Sequence, residues 1–174
     1  MEIRAADVMS RDPTTVRAET PVEELLHLFR VSHYSGMPVV DEQGRAVGII
    51  SETDVLRALA YTIGPSGSGE FKVAFAKGRT GITARLLEAG GREGVEALAV
   101  MRELLTRNVG ELMTPVVHTC LAGDSLASVC ETMVWKEIHR VIVVDEESRV
   151  IGMISALDTV RCLGELLRGK QEQA

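Results

Sequence analysis

The sequence predicts a mixed α/β fold built from tandem β-α-β-β-α repeats related by a pseudo-two-fold axis, and three observations carry that prediction. The chain matches itself when slid by 104 positions, so that Met9 falls on Met113 without a gap. Within each copy, apolar residues recur first at helical spacing and then in two short runs separated by turn formers. Each second run ends in Ser and leads directly into another helical pattern that opens with Asp.

The self-match is extended. Thr15 meets Thr119, Ala18 meets Ala122, and Val39-Val40-Asp41-Glu42 meets Val143-Val144-Asp145-Glu146. Arg45, Gly48, Ile50, Ser51, Asp54, Arg57 and Leu59 meet Arg149, Gly152, Ile154, Ser155, Asp158, Arg161 and Leu163. Residues 1–60 are therefore the first repeat, 61–108 an insertion that repeats nothing, 109–169 the second repeat and 170–174 a polar tail.

Each element follows from local pattern. After Asp7-Val8-Met9, a short extended piece at Thr15-Val16-Arg17 leads to Val22, Leu25, Leu26 and Phe29 at the spacing of an amphipathic helix. Thr20 is placed to cap that helix, Pro21 suits its first position, and Glu23-Glu24 sit where the helix dipole favours negative charge. The second copy offers Asp124 as cap before Leu126, Val129, Cys130 and Met133. Met37 to Val40 and Ala46 to Ile50 read as paired strands around the turn Asp41-Glu42-Gln43-Gly44. Val141 to Val144 and Val150 to Ile154 are their counterparts around Asp145 to Ser148. The final helices open at Asp54 and Asp158.

The insertion is unusually long for a connection inside a compact domain. Gly64-Pro65-Ser66-Gly67-Ser68-Gly69 reads as a flexible loop, since no Gly-Lys-Ser/Thr follows to make it a phosphate loop. Val95, Leu98, Met101, Leu104 and Leu105 form one apolar stripe, which predicts a helix over about 95–106. The insertion reads as a plain connector; a lid carrying Lys72, Lys77 and Arg79 toward phosphates is the other possibility.

Composition narrows the function. With 174 residues and 45% hydrophobic content, the chain can bury one sizeable core or two small packed halves. A net charge of -6 argues against nucleic acid, whose backbone requires a basic surface. No apolar run reaches the roughly 20 residues of a membrane span, and Met1-Glu2-Ile3-Arg4 opens no signal-peptide pattern, so a cytoplasmic protein is expected. Cys120, Cys130 and Cys162 lack metal-ligand spacing and are expected to be small core fillers. No metal, no required cofactor and no catalytic nucleophile with its base are expected.

A strand ending in Ser, followed three residues later by Asp in a helix start, places a hydroxyl, a carboxylate and free N–H groups around one point. The carboxylate can accept bonds from adjacent ribose hydroxyls, while the helix start and the Ser hydroxyl can face a phosphate. The same residues, Ser51 and Asp54 or Ser155 and Asp158, can equally serve only as helix caps.

VGIISETD and IGMISALD, each preceded by PVVD or IVVD, resemble the CBS-domain pattern, and the pair resembles a Bateman module over about 5–60 and 109–169. The resemblance implies that Asp54 and Ser51 serve one cleft between the repeats, and Asp158 and Ser155 the other. It implies base pockets lined by the backbone of Thr15-Val16 and Thr119-Cys120, with aliphatic side chains sandwiching the base. His139-Arg140 is similar to a His-Arg pair that contacts phosphates in nucleotide-sensing family members, whereas the first copy carries Ser35-Gly36 there. Family sites join the Asp of one repeat to strand residues of the other, so the Asp54 cleft is expected to hold phosphates and the Asp158 cleft to bind weakly, prefer a less charged ligand or stay empty.

The function so implied is a regulatory, non-enzymatic sensor of AMP, ADP or ATP that signals to an effector protein and forms a homodimer through helical faces. The alternative is an interaction or assembly module with vestigial clefts; S-adenosylmethionine or dinucleotide binding is more distant. His27, His33 and His118 are expected in surface or packing roles, and Trp135 is expected to pack at a helix end. Arg57 and Arg161 are left between reaching a ligand and covering the surface.

Overall fold

The structure is a computed structural model that describes residues 2–32, 34–63, 73–78, 81–86, 99 and 101–171. Of the sequence expectations, the 64–69 loop, Lys72, Arg79, His33, and Val95 and Leu98 of the predicted stripe lie outside these residues. The elements run α1 (Ala5–Val8), β1 (Ser10–Arg11), β2 (Val16–Arg17), α2 (Val22–Ser32), β3 (Gly36–Val40), β4 (Ala46–Ser51) and α3 (Glu52–Ile63). Then follow β5 (Val73–Gly78), β6 (Gly81–Leu86), α4 (Val109–Leu112), β7 (Thr119–Leu121), α5 (Leu126–Trp135), β8 (Arg140–Val144), β9 (Val150–Ser155) and α6 (Ala156–Gln171). Residues 101–106 are also helical. The chain is a mixed α/β protein, as the alternating patterns predict.

By contacts the chain divides into two units. The first comprises residues 1–14, 40–48 and 115–174; the second comprises residues 15–39 and 49–114. In the first unit a four-stranded sheet has the order β1-β9-β8-β7, with β7 parallel to β8 and the other pairs antiparallel. A parallel pair needs a crossover connection, and α5 supplies it between β7 and β8. Ala5, Val129, Met133, Val141, Val143 and Ile154 form the core, with Met9, Cys120, Ile138 and Ala156 packed against it. Ile142 and Val144, on alternate positions of β8, are buried as well, which explains the unbroken apolar run Val141 to Val144.

The second unit contains α2, α3, α4 and the sheet of order β2-β3-β4, whose β3–β4 hairpin tip belongs to the first unit. Val22, Leu25 and Phe29 are the buried stripe of α2. Leu104 of the helical stretch 101–106 is buried too, in keeping with the stripe expected there. Within the insertion, β5 and β6 pair antiparallel from Val73↔Leu86 to Gly78↔Gly81. The sequence reading passed over this hairpin, although two short apolar-rich runs flank a Gly-x-x-Gly turn there.

Each unit takes its lead-in helix from the other repeat. Ala5 N–H donates to Asp124 O (2.8 Å), Ala6 N–H to Ala122 O (3.0 Å), and Leu126 N–H to Ile3 O (2.9 Å). The second unit repeats the pattern through Val109 to Thr20 O (2.9 Å), Gly110 to Ala18 O (2.8 Å) and Val22 to Arg107 O (2.9 Å). Strand pairing continues the exchange, with Ser10 opposite Met153 in one unit and Ile49 bridged to Thr114 in the other. In the first unit the approach is close: a Cβ on Gly152 would stand 2.5 Å from Met9 Sδ and 3.2 Å from Ser10 O.

Five local expectations are corrected. Asp124 does not cap α5; its Oδ2 accepts from Leu121 N (2.8 Å), and Ser125 is the cap, its Oγ accepting from Ser128 N (3.2 Å). Thr20 plays the part of Asp124 in the first repeat, its Oγ1 accepting from Arg17 N (3.1 Å). Both side chains close the turn before the helix, so the first helical position passes from Pro21 to Val22. Trp135 ends α5 but is 82% exposed, because the helix stops as the chain turns away through Glu137 at φ 52°. The three cysteines are half-buried and none lies fully within the core, although Cys120 packs against it.

Candidate functional site

The site residues cluster where a strand becomes a helix, once in each unit. In the second unit β4 ends at Ser51 and α3 begins at Glu52, which makes Ser51 the cap and Asp54 the third helical residue. Asp54 Oδ2 accepts from Ser51 N (2.8 Å) and from Ser51 Oγ (2.5 Å). In the first unit Asp158 Oδ2 accepts from Ser155 N (2.9 Å) and Oγ (2.5 Å), and Asp158 N–H donates back to Ser155 Oγ (3.3 Å). In the first unit this is the reciprocal arrangement of a capping box, and in the second the Asp54 carboxylate likewise reaches back to the Ser51 amide, so a capping role is realised in both.

The same bonds define what remains for a ligand. Oδ2 of each Asp has both lone pairs engaged, and each Ser hydroxyl proton is committed to a carboxylate. Oδ1 is the other carboxylate oxygen, and it faces the guanidinium of Arg57 (3.6 Å) or Arg161 (3.6 Å). These ion pairs escaped the sequence reading, although an Asp-x-x-Arg spacing in both repeats signals them. The carboxylates are 10% and 15% exposed, so each presents an anionic acceptor on a fixed support. Acceptors of this kind suit paired sugar hydroxyls.

The remaining candidates divide between the units. Thr15 is exposed and Val16 is buried in β2, and Ser35 O accepts from Glu52 N (3.2 Å) beside Ser51, all in the second unit. In the first unit Thr119 and Cys120 lie on β7, opposite Ile142 and Val143. Arg140 stands opposite Ser155 in the β8–β9 register, and Ala156 N–H donates to His139 O (2.9 Å). The structure thus brings His139, Arg140, Ser155 and Asp158 into one unit, with Asp54 in the other. Burial, aided by the Asp124 charge, pushes the Cys120 thiol up to about 11. Among the described residues no group of His, Cys, Asp and Glu could hold a metal ion.

Residues 5–61 and 109–165 each match the CBS domain. The chain belongs to the CBS-domain family and carries a pair. The CBS pair is 26% identical over 157 residues to the uncharacterized protein MJ1426 of Methanocaldococcus jannaschii, covering 90% of this chain and 89% of that one. Its fold is similar to that of CBSX2 of Arabidopsis thaliana in complex with AMP, at TM-score 0.64 and 19% identity, covering 94% of this chain and 98% of that one. It is likewise similar to the CBS domain pair of protein MJ0100 in complex with 5-methylthioadenosine and S-adenosyl-L-methionine, at TM-score 0.64 and 22% identity, covering 92% and 98%. In this CBS pair the two Ser-x-x-Asp-x-x-Arg sets occupy the same place in both repeats, and no described helix is long and apolar enough to cross a membrane.

Proposed function

We propose that this CBS pair is a regulatory, non-enzymatic module of the cytoplasm that binds adenine nucleotides of the AMP, ADP and ATP class, with Asp54 and Asp158 as ribose acceptors. One observation carries the reading: in each unit a largely buried Asp has one oxygen locked by Ser while the other faces an exposed arginine. Such a carboxylate costs stability unless it is paired, and a sugar diol is a fitting partner. The AMP complex of CBSX2 and the 5-methylthioadenosine and S-adenosyl-L-methionine complex of MJ0100 share an adenosine moiety, which is the part a ribose carboxylate recognises. Thr15, Val16, Thr119 and Cys120 supply backbone groups for the base, and His139 with Arg140 supplies positive charge for phosphates. The two carboxylates are proposed to differ in how they bind phosphate, since the first repeat carries Ser35-Gly36 where the second carries His139-Arg140.

The experiment is calorimetry of the full chain with AMP, ADP, ATP and S-adenosylmethionine, repeated on Asp54→Ala and Asp158→Ala. The expected result is binding of the adenine nucleotides, with unequal losses for Asp54→Ala and Asp158→Ala. Equal losses reject the asymmetry. A chain that shows no rise in melting temperature across the whole panel rejects the sensor reading, and the interaction module with vestigial sites takes its place. Output passes through an effector protein and through self-association. An apolar stripe on α6, with Leu157 67% and Val160 62% exposed, supports a homodimer through helical faces. A monomer by light scattering at micromolar concentration rejects that assembly.

A further inference from the structure

We propose that Arg57 and Arg161 are positioning residues that compete with the ligand, each occupying the carboxylate oxygen that a ribose must use and so setting the affinity of its site. This rests on the reading of Asp54 and Asp158 as ribose acceptors and adds a built-in competitor to it.

The geometry separates the two oxygens of each carboxylate. Oδ2 accepts from the Ser amide and the Ser hydroxyl and has no lone pair left for a sugar. A ribose must therefore be taken up at Oδ1, which is the oxygen that faces Arg57 Nη1 or Arg161 Nη1 at 3.6 Å. At that distance the contact is charge attraction and not a hydrogen bond, so it yields to a better-placed donor. Burial also assigns the moving partner. The arginine side chains are 61% and 66% exposed while the carboxylates are almost covered, so the guanidinium swings and the carboxylate stays.

Divergence between the repeats points the same way. From Glu52 to Leu59 the first copy reads ETDVLRAL, and from Ala156 to Leu163 the second reads ALDTVRCL. Only Asp, Arg and the final Leu persist, and the ion-pair distance is the same in both units. A pair kept merely to support the helix has no need of the oxygen that the ligand requires.

The consequence is unusual for a neutral ligand. Adenosine carries no charge, yet salt screens an exposed ion pair and so releases its acceptor. Calorimetry of the full chain with adenosine, at about 50 mM and about 500 mM salt, is the test. The chains compared are wild type, the double variant Arg57→Gln with Arg161→Gln, and the corresponding double Lys variant. The double Gln variant is expected to bind adenosine up to about fivefold tighter than wild type at low salt, the ceiling for an exposed pair. Wild-type affinity rises with salt, the Gln variant loses that rise, and the Lys variant restores it. Equal affinity and equal salt response in wild type and Gln variant overturn the proposal while leaving the ribose reading intact. Weaker binding by the Gln variant also overturns it, since the arginines then assist the ligand. Adenosine binding by none of the chains removes the ribose reading and this proposal together.

Discussion

A serine and an aspartate three residues apart cap a helix and, as proposed, hold a ribose with the same set of atoms. Asp54 Oδ2 completes the helix cap, and its Oδ1, which faces Arg57, is the oxygen proposed to accept a ribose; removal of the side chain is therefore expected to cost both. Asp158→Ala is expected to lower stability by about 1 kcal/mol through the lost cap, read as a shifted denaturant midpoint. The backbone carries its own residue-scale costs. Glu137 and Ser148 sit at φ 52° and 65°, in the left-handed region that disfavours a Cβ. Glu137 closes α5, with Ile138 N–H donating to Met133 O (3.0 Å) in the manner of a Schellman turn. Glu137→Gly and Ser148→Gly are each expected to stabilise by about 0.5 kcal/mol, the strain relieved less the chain entropy glycine adds. Gly44, the counterpart of Ser148, already has φ 77°. Cys120 offers a pH-dependent readout. Its thiol is raised from 9.0 to about 11, so folding favours the protonated form. Its stabilising contribution is complete below pH 9 and is lost as pH rises from 9 to about 11. Alkylation of Cys120 followed by mass spectrometry is expected to accelerate up to about pH 11, whereas a plateau near pH 9 contradicts the burial.

At the scale of elements, pattern fixed the kind of element more reliably than its boundary. The apolar spacing of Val22, Leu25 and Phe29 marks α2 because burying one stripe requires that period, and all three are buried. The caps were less legible. Thr20, Asp124 and Ser125 are all good cap residues, and only their hydrogen bonds separate turn closure from capping. Ser125→Ala is expected to cost about 1 kcal/mol of stability because the Ser128 amide loses its partner. The β-hairpin turns were easier to read, and both repeats build them alike. Asp41 accepts from Arg45 N (2.8 Å) and Nε (2.8 Å), and Asp145 accepts from Arg149 N (2.8 Å) and Nε (2.7 Å). The backbone bond from Arg45 is the foremost cause holding the Asp41 carboxyl below its ordinary value. Between strands, Gly152 is fixed by what crosses it. Gly152→Ala is expected to destabilise by about 1–3 kcal/mol, since Met9 Sδ and the Ser10 carbonyl leave no room for a methyl group. Thermal unfolding of the variant against the unaltered chain reads that loss.

For the whole molecule, the repeat in sequence is not the unit in space. Each unit completes itself with a lead-in helix from the other repeat, held by the bonds of Ala5 and Ala6 in one and Val109 and Gly110 in the other. Residues 1–60 expressed alone are thus expected to show no cooperative unfolding, and addition of residues 61–174 to restore it, as followed by circular dichroism. Cooperative folding of the first segment by itself would contradict the exchange. The α/β class, the β3–β4 and β8–β9 pairs and the Ser-x-x-Asp sets were settled by the sequence alone, because periodicity, turn chemistry and spacing within a dozen residues express them, and the duplication was settled because the chain can be compared with itself. The exchange of lead-in helices, the commitment of the serine protons and the oxygen held by Arg57 or Arg161 were decided only in three dimensions. Those features depend on which of several equivalent donors reaches a given acceptor, and chain order places no limit on that choice.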